Sequence, residues 1–423
     1  MNTSISKINI FETYACYLLF IITLISFFIG FELRENSAGG GLIDLKHEWH
    51  NYNLLKSNNF GFLFGNYEAS RFPLFHIVNL KLNPFINSQS DFILSFFIYS
   101  FILILTYYYC LVFTFKNQQK HIIFLLLSIL LLSPYFRTSS FWGLQENLAY
   151  IFFLASFALY EKNKKIKLLV IFVSFLSFYS DQKFIFVPAI FFFKYLNKDQ
   201  IFNKENFKLL AYCIILFLPA MLVFYIWGGL TKNETTSGIN EFAIKPQNIL
   251  FGLNIIFLYL IPFIFLKYNK FNLNELFDIK NIIFYSLFII LYFFIRTFYI
   301  DVSLPVSGGW AFKVFTNLFN LNAPIAEIIY FFISFLSFLV IFSYFKILKI
   351  SLLNKMILLF LIFYVLFMEI VFQEYFDPLM LFIAIFFLHR EDIAVINFKK
   401  SFFLYVYFLT FWVGSISYYY LYI

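Results

Sequence analysis

This chain has little charge. Asp, Glu, Lys and Arg make up 13% of its 423 residues, where a soluble domain carries about 25%. Hydrophobic residues make up 62%, and mean hydropathy is +0.81. A soluble globular fold is thereby excluded. Apolar runs recur from end to end, so a soluble domain on a single anchor is excluded too. Cysteine is also scarce: Cys16, Cys110 and Cys213 lie far apart inside apolar segments, which leaves no disulfide framework and no zinc motif. Long hydrophilic blocks, internal repeats and low-complexity tails are missing, and the sequence reads as one integral-membrane domain over 1–423.

What is present is hydrophobic length. Apolar segments fall near 12–31, 91–114, 121–136, 147–160, 167–180, 184–197, 208–228, 248–266, 281–300, 325–345, 356–372, 378–389 and 401–421. A span needs on the order of 20 residues, so these predict an all-α, polytopic transmembrane protein of about 11–13 spans. Those at 147–160, 167–180, 184–197 and 378–389 are short enough to be tilted, re-entrant or broken. The first run is long for a signal sequence, with no small-x-small cleavage site after it, and reads as a retained span.

The net charge of +8 does not point to nucleic acid, because of where the charges sit. Most of the 31 Lys and Arg residues fall in alternate loops: 116–121, 161–167, 194–208, 267–280, 346–355 and 389–400. Cytoplasmic loops carry such an excess. The N-terminus is therefore expected in the cytoplasm, with the loop at 31–90 on the outer side of the membrane. The outer segments, at 31–90, 137–146, 181–183, 229–248, 301–324 and 373–377, hold most of the varied polar chemistry.

Three outer constellations could carry chemistry. In "GGGLIDLKHEWHN", residues 39–51, three glycines lead into Asp44, His47, Glu48 and His50. The spacing predicts a short helix over 42–56 with Asp44, His47, Glu48 and Asn51 on one face. A carboxylate beside such neighbours can serve as general base; a capped, solvated loop helix is the plainer reading. Two carboxylates and two histidines could also hold a divalent cation, Mg or Mn, although the spacing matches no standard site. In "NYEASRFPLFHI", residues 66–77, Arg71 and His76 flank Pro73; Arg suits a phosphate, and an interfacial anchor is the alternative. In "FQEYFDPLM", residues 372–380, Gln373, Glu374, Tyr375 and Asp377 sit between two apolar segments, where polar residues are costly; an Asp-Pro turn would also account for them. Arg137, Lys183, Arg296 and Lys313 are scattered cations. Each alone suits an anchor or ion-pair partner, and together they could cradle a lipid phosphate.

One span, a long outer loop with an acidic residue near its start, and many further spans resemble the GT-C glycosyltransferases. "GGGLID", Trp49 and "RFPLFHI" are similar to GT-C-like proteins of bacterial surface-polysaccharide biosynthesis, as is "EYFDPL" near the C-terminus. The resemblance implies a GT-C-like fold whose first loop carries interfacial helices. It implies a polyprenyl-phosphate sugar donor, a lipid-linked glycan acceptor and contact with membrane lipids. It places Asp44 in the position of the base, with His47, Glu48 or His50 orienting it, and Arg71, Lys183 and Arg296 neutralising the leaving phosphate. His76, Arg137, Gln373, Glu374, Tyr375 and Asp377 are the remaining candidates for substrate binding. The chain departs from protein mannosyltransferases, having no adjacent Asp-Glu pair, and from oligosaccharyltransferases, having no soluble C-terminal domain. An O-antigen-type polymerase is the alternative, although its largest outer loop usually lies in the second half. A transporter or flippase is the third reading, and it would place ionisable residues in mid-membrane.

Overall fold

A computed structural model describes residues 10–37, 40–57, 71–196, 202–229, 245–266, 278–299, 324–346, 348, 350–368 and 371–422. Among these there is no strand. The chain forms two compact units, Met1–Lys232 with Glu391–Ile423, and Asn233–Arg390.

The first unit contains α1 (Ile10–Glu32), α2 (Gly41–Ser57), α3 (Leu74–Leu82), α4 (Gln89–Thr114), α5 (Lys120–Leu131), α6 (Pro134–Trp142), α7 (Glu146–Lys162), α8 (Lys167–Ser180), α9 (Phe186–Tyr195) and α10 (Lys204–Trp227). The second contains α11 (Gln247–Leu266), α12 (Ile279–Tyr299), α13 (Pro324–Lys346) and α14 (Leu352–Tyr364), then a short helix, Leu379–Ile383, continued by a π turn. The last helix, α15 (Phe398–Tyr422), returns to the first unit.

Among the described residues, six helices are long and apolar enough to cross a membrane: α1, α4, α10, α11, the Ile328–Lys346 part of α13, and the Phe398–Tyr420 part of α15. The expected span near 121–136 is instead a pair, α5 and α6, bent by 67°. The break has a local cause. Pro134 occupies the first turn of α6, and the Ser133 side chain accepts the Phe136 N–H at 3.1 Å, capping the new helix. α8 and α14 are apolar but short. The membrane is also legible in what stays uncovered. Ile21, Ile22, Ile25 and Ile29 of α1 are each about half exposed, an apolar stripe that hydrocarbon, not water, would cover.

In the first unit α1, α5 and α15 run parallel. Near their starts, the Thr13 hydroxyl lies 3.5 Å from His121 Nδ1. Further along, the Thr23 hydroxyl meets Tyr405 Oη at 2.9 Å. At their far ends Glu35, Arg137 and Trp412 meet. α4 and α7 run the other way. The first turns of α4 and α7 pack with α2 and α3 in one buried cluster, made by Leu45, Tyr52, Phe75, Phe92, Phe96 and Leu148. This cluster seats the two short helices between α1 and α4 at the end of the bundle where α1 terminates. The lysine-rich segments 116–120 and 161–167 lie at the opposite end, where α4 and α7 finish and α8 begins.

Candidate functional site

α2 buries Leu45, Glu48, Asn51, Tyr52 and Leu55. The apolar members hold the helix on the core, and their spacing forces Glu48 and Asn51 inward with them. Asp44, one turn earlier, is half-buried in the first turn, and His47 is likewise half-buried. His50 is exposed and lines an open depression with Asn53, Leu54, Lys56 and Ser57. The predicted helical face is therefore present, but its fully buried carboxylate is Glu48. Of the glycines before it, Gly39 lies outside the described residues, and Gly40 has φ 74°, which favours glycine.

Glu48 meets His76, which α3 holds fully buried. Glu48 Oε2 lies 3.1 Å from His76 Nε2. The same nitrogen lies 3.1 Å from the Glu48 carbonyl oxygen. An oxygen of either kind can only accept, so Nε2 carries the hydrogen. It donates to the carbonyl, and Glu48 Oε2 itself receives no hydrogen bond.

Next to this pair stands an ion network. Arg71 pairs with Glu146 Oε1, and its Nε lies 4.0 Å from Asp181 Oδ2. Lys183 Nζ lies 3.4 Å from the same Asp181 oxygen. Glu146 is in the first turn of α7, where the helix dipole favours a negative charge. Asp181 ends α8, and its other oxygen accepts the Lys183 N–H at 3.0 Å, capping the 3-10 turn Gln182–Ile185. Glu146, Asp181 and Lys183 are buried, whereas the Arg71 side chain is 23% exposed. Burial works against the Arg71 charge, but Glu146 first, then Asp181, Tyr135 and Glu48, outweigh it and hold the guanidinium more firmly protonated than usual. Burial would raise the Asp181 carboxyl, but Lys183 and Arg71 overcome it and hold the group below its ordinary range.

Three carboxylates thus gather with Arg71, Lys183 and His76. Buried oxygens Glu48 Oε2, Glu146 Oε2 and Asp181 Oδ2 receive no hydrogen bond, and neither Oδ1 nor Nδ2 of Asn51 forms one. An arrangement of this kind can accept a proton and can hold a polar ligand. It is a poor divalent-metal site. Glu146 and Asp181 are committed to cations, and among the described residues no three His, Cys, Asp or Glu side chains gather within ligating reach.

A second buried cluster of the same unit holds Arg137. Arg137 is fully buried and bound by Glu35 through both carboxylate oxygens, Nε to Oε1 at 2.8 Å and Nη2 to Oε2 at 2.5 Å. It also donates to the Ser26 and Leu131 carbonyls and lies 4.5 Å from the Trp412 ring centre. All these contacts lock α1, α6 and α15 together. Gln373, Glu374, Tyr375 and Asp377 belong to the second unit. There Gln373, Glu374 and Tyr375 form a 3-10 turn, Gln373 donates to Tyr259 Oη at 3.2 Å, and Asp377 is buried. The side chain of Arg296, all of Lys313, residues 66–70 and residues 301–323 lie outside the described residues.

Glu146 and Asp181 were missed by sequence reasoning, as was Glu35. The signal was available, since each is an acid at the edge of an apolar helix in a segment assigned to the outer side. No family model, no curated protein and no solved structure matches the chain.

Proposed function

We propose that this chain is an integral-membrane glycosyltransferase of GT-C type. It moves a sugar from a polyprenyl-phosphate donor to a lipid-linked glycan acceptor at the extracytoplasmic face of a bacterial inner membrane. The observation that carries the reading is the pairing of a buried, undonated carboxylate oxygen, Glu48 Oε2, with His76 beside the Arg71 network. The segregation of lysine-rich loops at the opposite end supports placing the site outside.

In this reading Glu48 takes the proton from the acceptor hydroxyl. The hydroxyl oxygen forms a bond to the anomeric carbon, the bond from that carbon to the phosphate oxygen breaks, and its electron pair leaves with the phosphate. Attack opposite the leaving group inverts the centre. Arg71, the one partly exposed cation of the network, faces the phosphate. Glu146 and Asp181 fix its orientation, so little reorganisation is needed as charge develops. Asp44, at the half-buried edge of the same helix, is the outer carboxylate and supports acceptor binding. Among the described residues, the groups of this network lie on or beside the short helices α2 and α3 or at the ends of α7 and α8, outside the six long apolar helices, which favours surface chemistry over passage of a substrate through the bundle.

The test is transfer in vitro. Purified protein in proteoliposomes is given radiolabelled sugars on polyprenyl phosphate, with lipid-linked acceptors. Label appearing on the acceptor, with release of polyprenyl phosphate, is expected. Release of long heteropolymer from preassembled lipid-linked repeats, without use of a single-sugar donor, would replace this reading with a polymerase.

A further inference from the structure

We infer that the last helix, α15, positions the candidate site, through three side chains that grip the segment leading into α2. Trp412, Ser415 and Tyr419 fall at i, i+3 and i+7, one face of a helix. Each is partly buried. Each contacts a different point of the link between α1 and α2. Trp412 Nε1 donates to Glu35 Oε1 at 2.9 Å. The Ser415 hydroxyl donates to the Ser37 carbonyl at 2.6 Å. Tyr419 Oη accepts the Gly40 N–H at 3.1 Å, and Asn36 Nδ2 approaches the same oxygen at 3.5 Å.

The link is held from two sides. It leaves α1 through Arg34, at a left-handed φ of 50°, and enters α2 through Gly40, also left-handed. Gly40 cannot be capped by a side chain of its own, and its N–H is satisfied by α15. On the opposite side, Trp142 Nε1 donates to the Glu35 carbonyl at 3.0 Å, and its ring lies so close to Gly41 that a Cβ there would approach it to 2.6 Å. Ser37 is buried and its hydroxyl donates to the Pro134 carbonyl at 3.0 Å. The entry to α2 is thus clamped between α6 and α15. Glu48 is two turns downstream on a continuous helix, so a shift at Gly40 is carried to it as a rigid-body shift. Trp412, Ser415 and Tyr419 are positioning residues: they touch no reacting atom and act by setting where Glu48 stands relative to His76.

The catalytic part of this inference rests on the transferase reading, whereas the mechanical part does not, and the experiment separates them. A nitroxide is attached at Asn53→Cys, on the exposed face of α2, with Cys213→Ser as background. Tyr419→Phe removes the acceptor hydroxyl and keeps the ring. Trp412→Phe removes the indole donor. Either should narrow the nitroxide spectrum, and the double variant should narrow it further, while a label at Asn163→Cys, at the other end of the bundle, stays unchanged. Turnover in the transfer assay should fall about ten- to a hundredfold, the scale of a small misplacement, with KM for the donor preserved. Unaltered spectra at Asn53 in the double variant would overturn the inference. Narrowed spectra in a protein that transfers no sugar would sustain the brace and reject only the transferase reading. Because Tyr419→Phe is nearly isosteric, its loss through misfolding would show as an altered spectrum at Asn163 and would count against a local role.

Discussion

His76 Nε2 stands 3.1 Å from both the carbonyl oxygen and Oε2 of Glu48. One imidazole hydrogen cannot serve two acceptors well, and the carbonyl takes it, leaving Oε2 buried with no donor. In the proposed mechanism this is the oxygen that takes the proton of the acceptor hydroxyl. His76→Gln keeps an N–H donor for the carbonyl but removes the imidazole. Proteins carrying it are expected to fold and to lose turnover with a changed pH–rate profile, measured in proteoliposomes. An unchanged profile would show that the imidazole has no part in the proton transfer.

Arg71 should be as important to stability as to binding. Arg71→Ala leaves Glu146 buried without its cation, and removing one partner of a buried pair costs about 3–5 kcal/mol. Asp181 retains Lys183, so the loss should fall toward the lower end. Adding Glu146→Gln should recover part of it, because the stranded charge is then gone. Thermal unfolding in detergent reads both. Failure of the second substitution to recover any stability would mean the pair is not coupled.

Acid should loosen the network before it affects the apolar bundle. The Asp181 carboxyl is held below its ordinary value of 3.8. Its contribution is therefore complete above that value and is lost as pH falls through the lower folded-state value. Unfolding temperature should be level from neutral pH down to about 5, then decline below about 4. In Asp181→Asn this decline should be shallower, although neutral-pH stability also drops because Lys183 loses its partner. Equal acid slopes in the two proteins would remove Asp181 from the account.

Gly30→Ala should destabilise, against the usual sign. Alanine in place of glycine inside a helix normally gains about 1 kcal/mol. Here a Cβ would stand 2.6 Å from Arg137 Nη2, 2.7 Å from Glu35 Oε2 and 2.8 Å from Phe141 Cε2. Overpacking at a rigid site costs about 1–3 kcal/mol, and the Arg137–Glu35 clamp has no room to relax. A rise in unfolding temperature would contradict this.

Much of the fold could be read from hydrophobic length alone. The runs near 12–31, 91–114, 208–228, 248–266 and 401–421 correspond to α1, α4, α10, α11 and α15. Shorter runs were ambiguous for a physical reason, since 14 residues can be a tilted span, half of a broken one or a buried helix. The break of 121–136 at Ser133 has a local signal, Ser133 followed by Pro134, that hydrophobic length alone does not carry. The helical face of α2 was also legible, from Glu48 and Asn51 at i and i+3. How deeply each member sits was not, because depth depends on Phe75, Phe92 and Leu148 arriving from other helices. Glu48 is buried and Asp44 half-buried for that reason. For Arg137 the sequence left open an ion-pair partner or a share in a phosphate cradle, and its partner Glu35, distant in sequence, is brought beside it only by the fold.

The most direct measurement compares Glu48→Gln with Asp44→Asn in proteoliposomes supplied with polyprenyl-phosphate sugar and lipid-linked acceptor. Both substitutions keep shape and remove a proton acceptor. Glu48→Gln should reduce turnover by about 10²–10⁴-fold, the usual value of general-base catalysis, with KM for the donor little changed. Asp44→Asn should act mainly on KM for the acceptor. Near-normal turnover in Glu48→Gln, with the large loss falling on Asp44→Asn, would contradict the assignment of the base to the buried carboxylate.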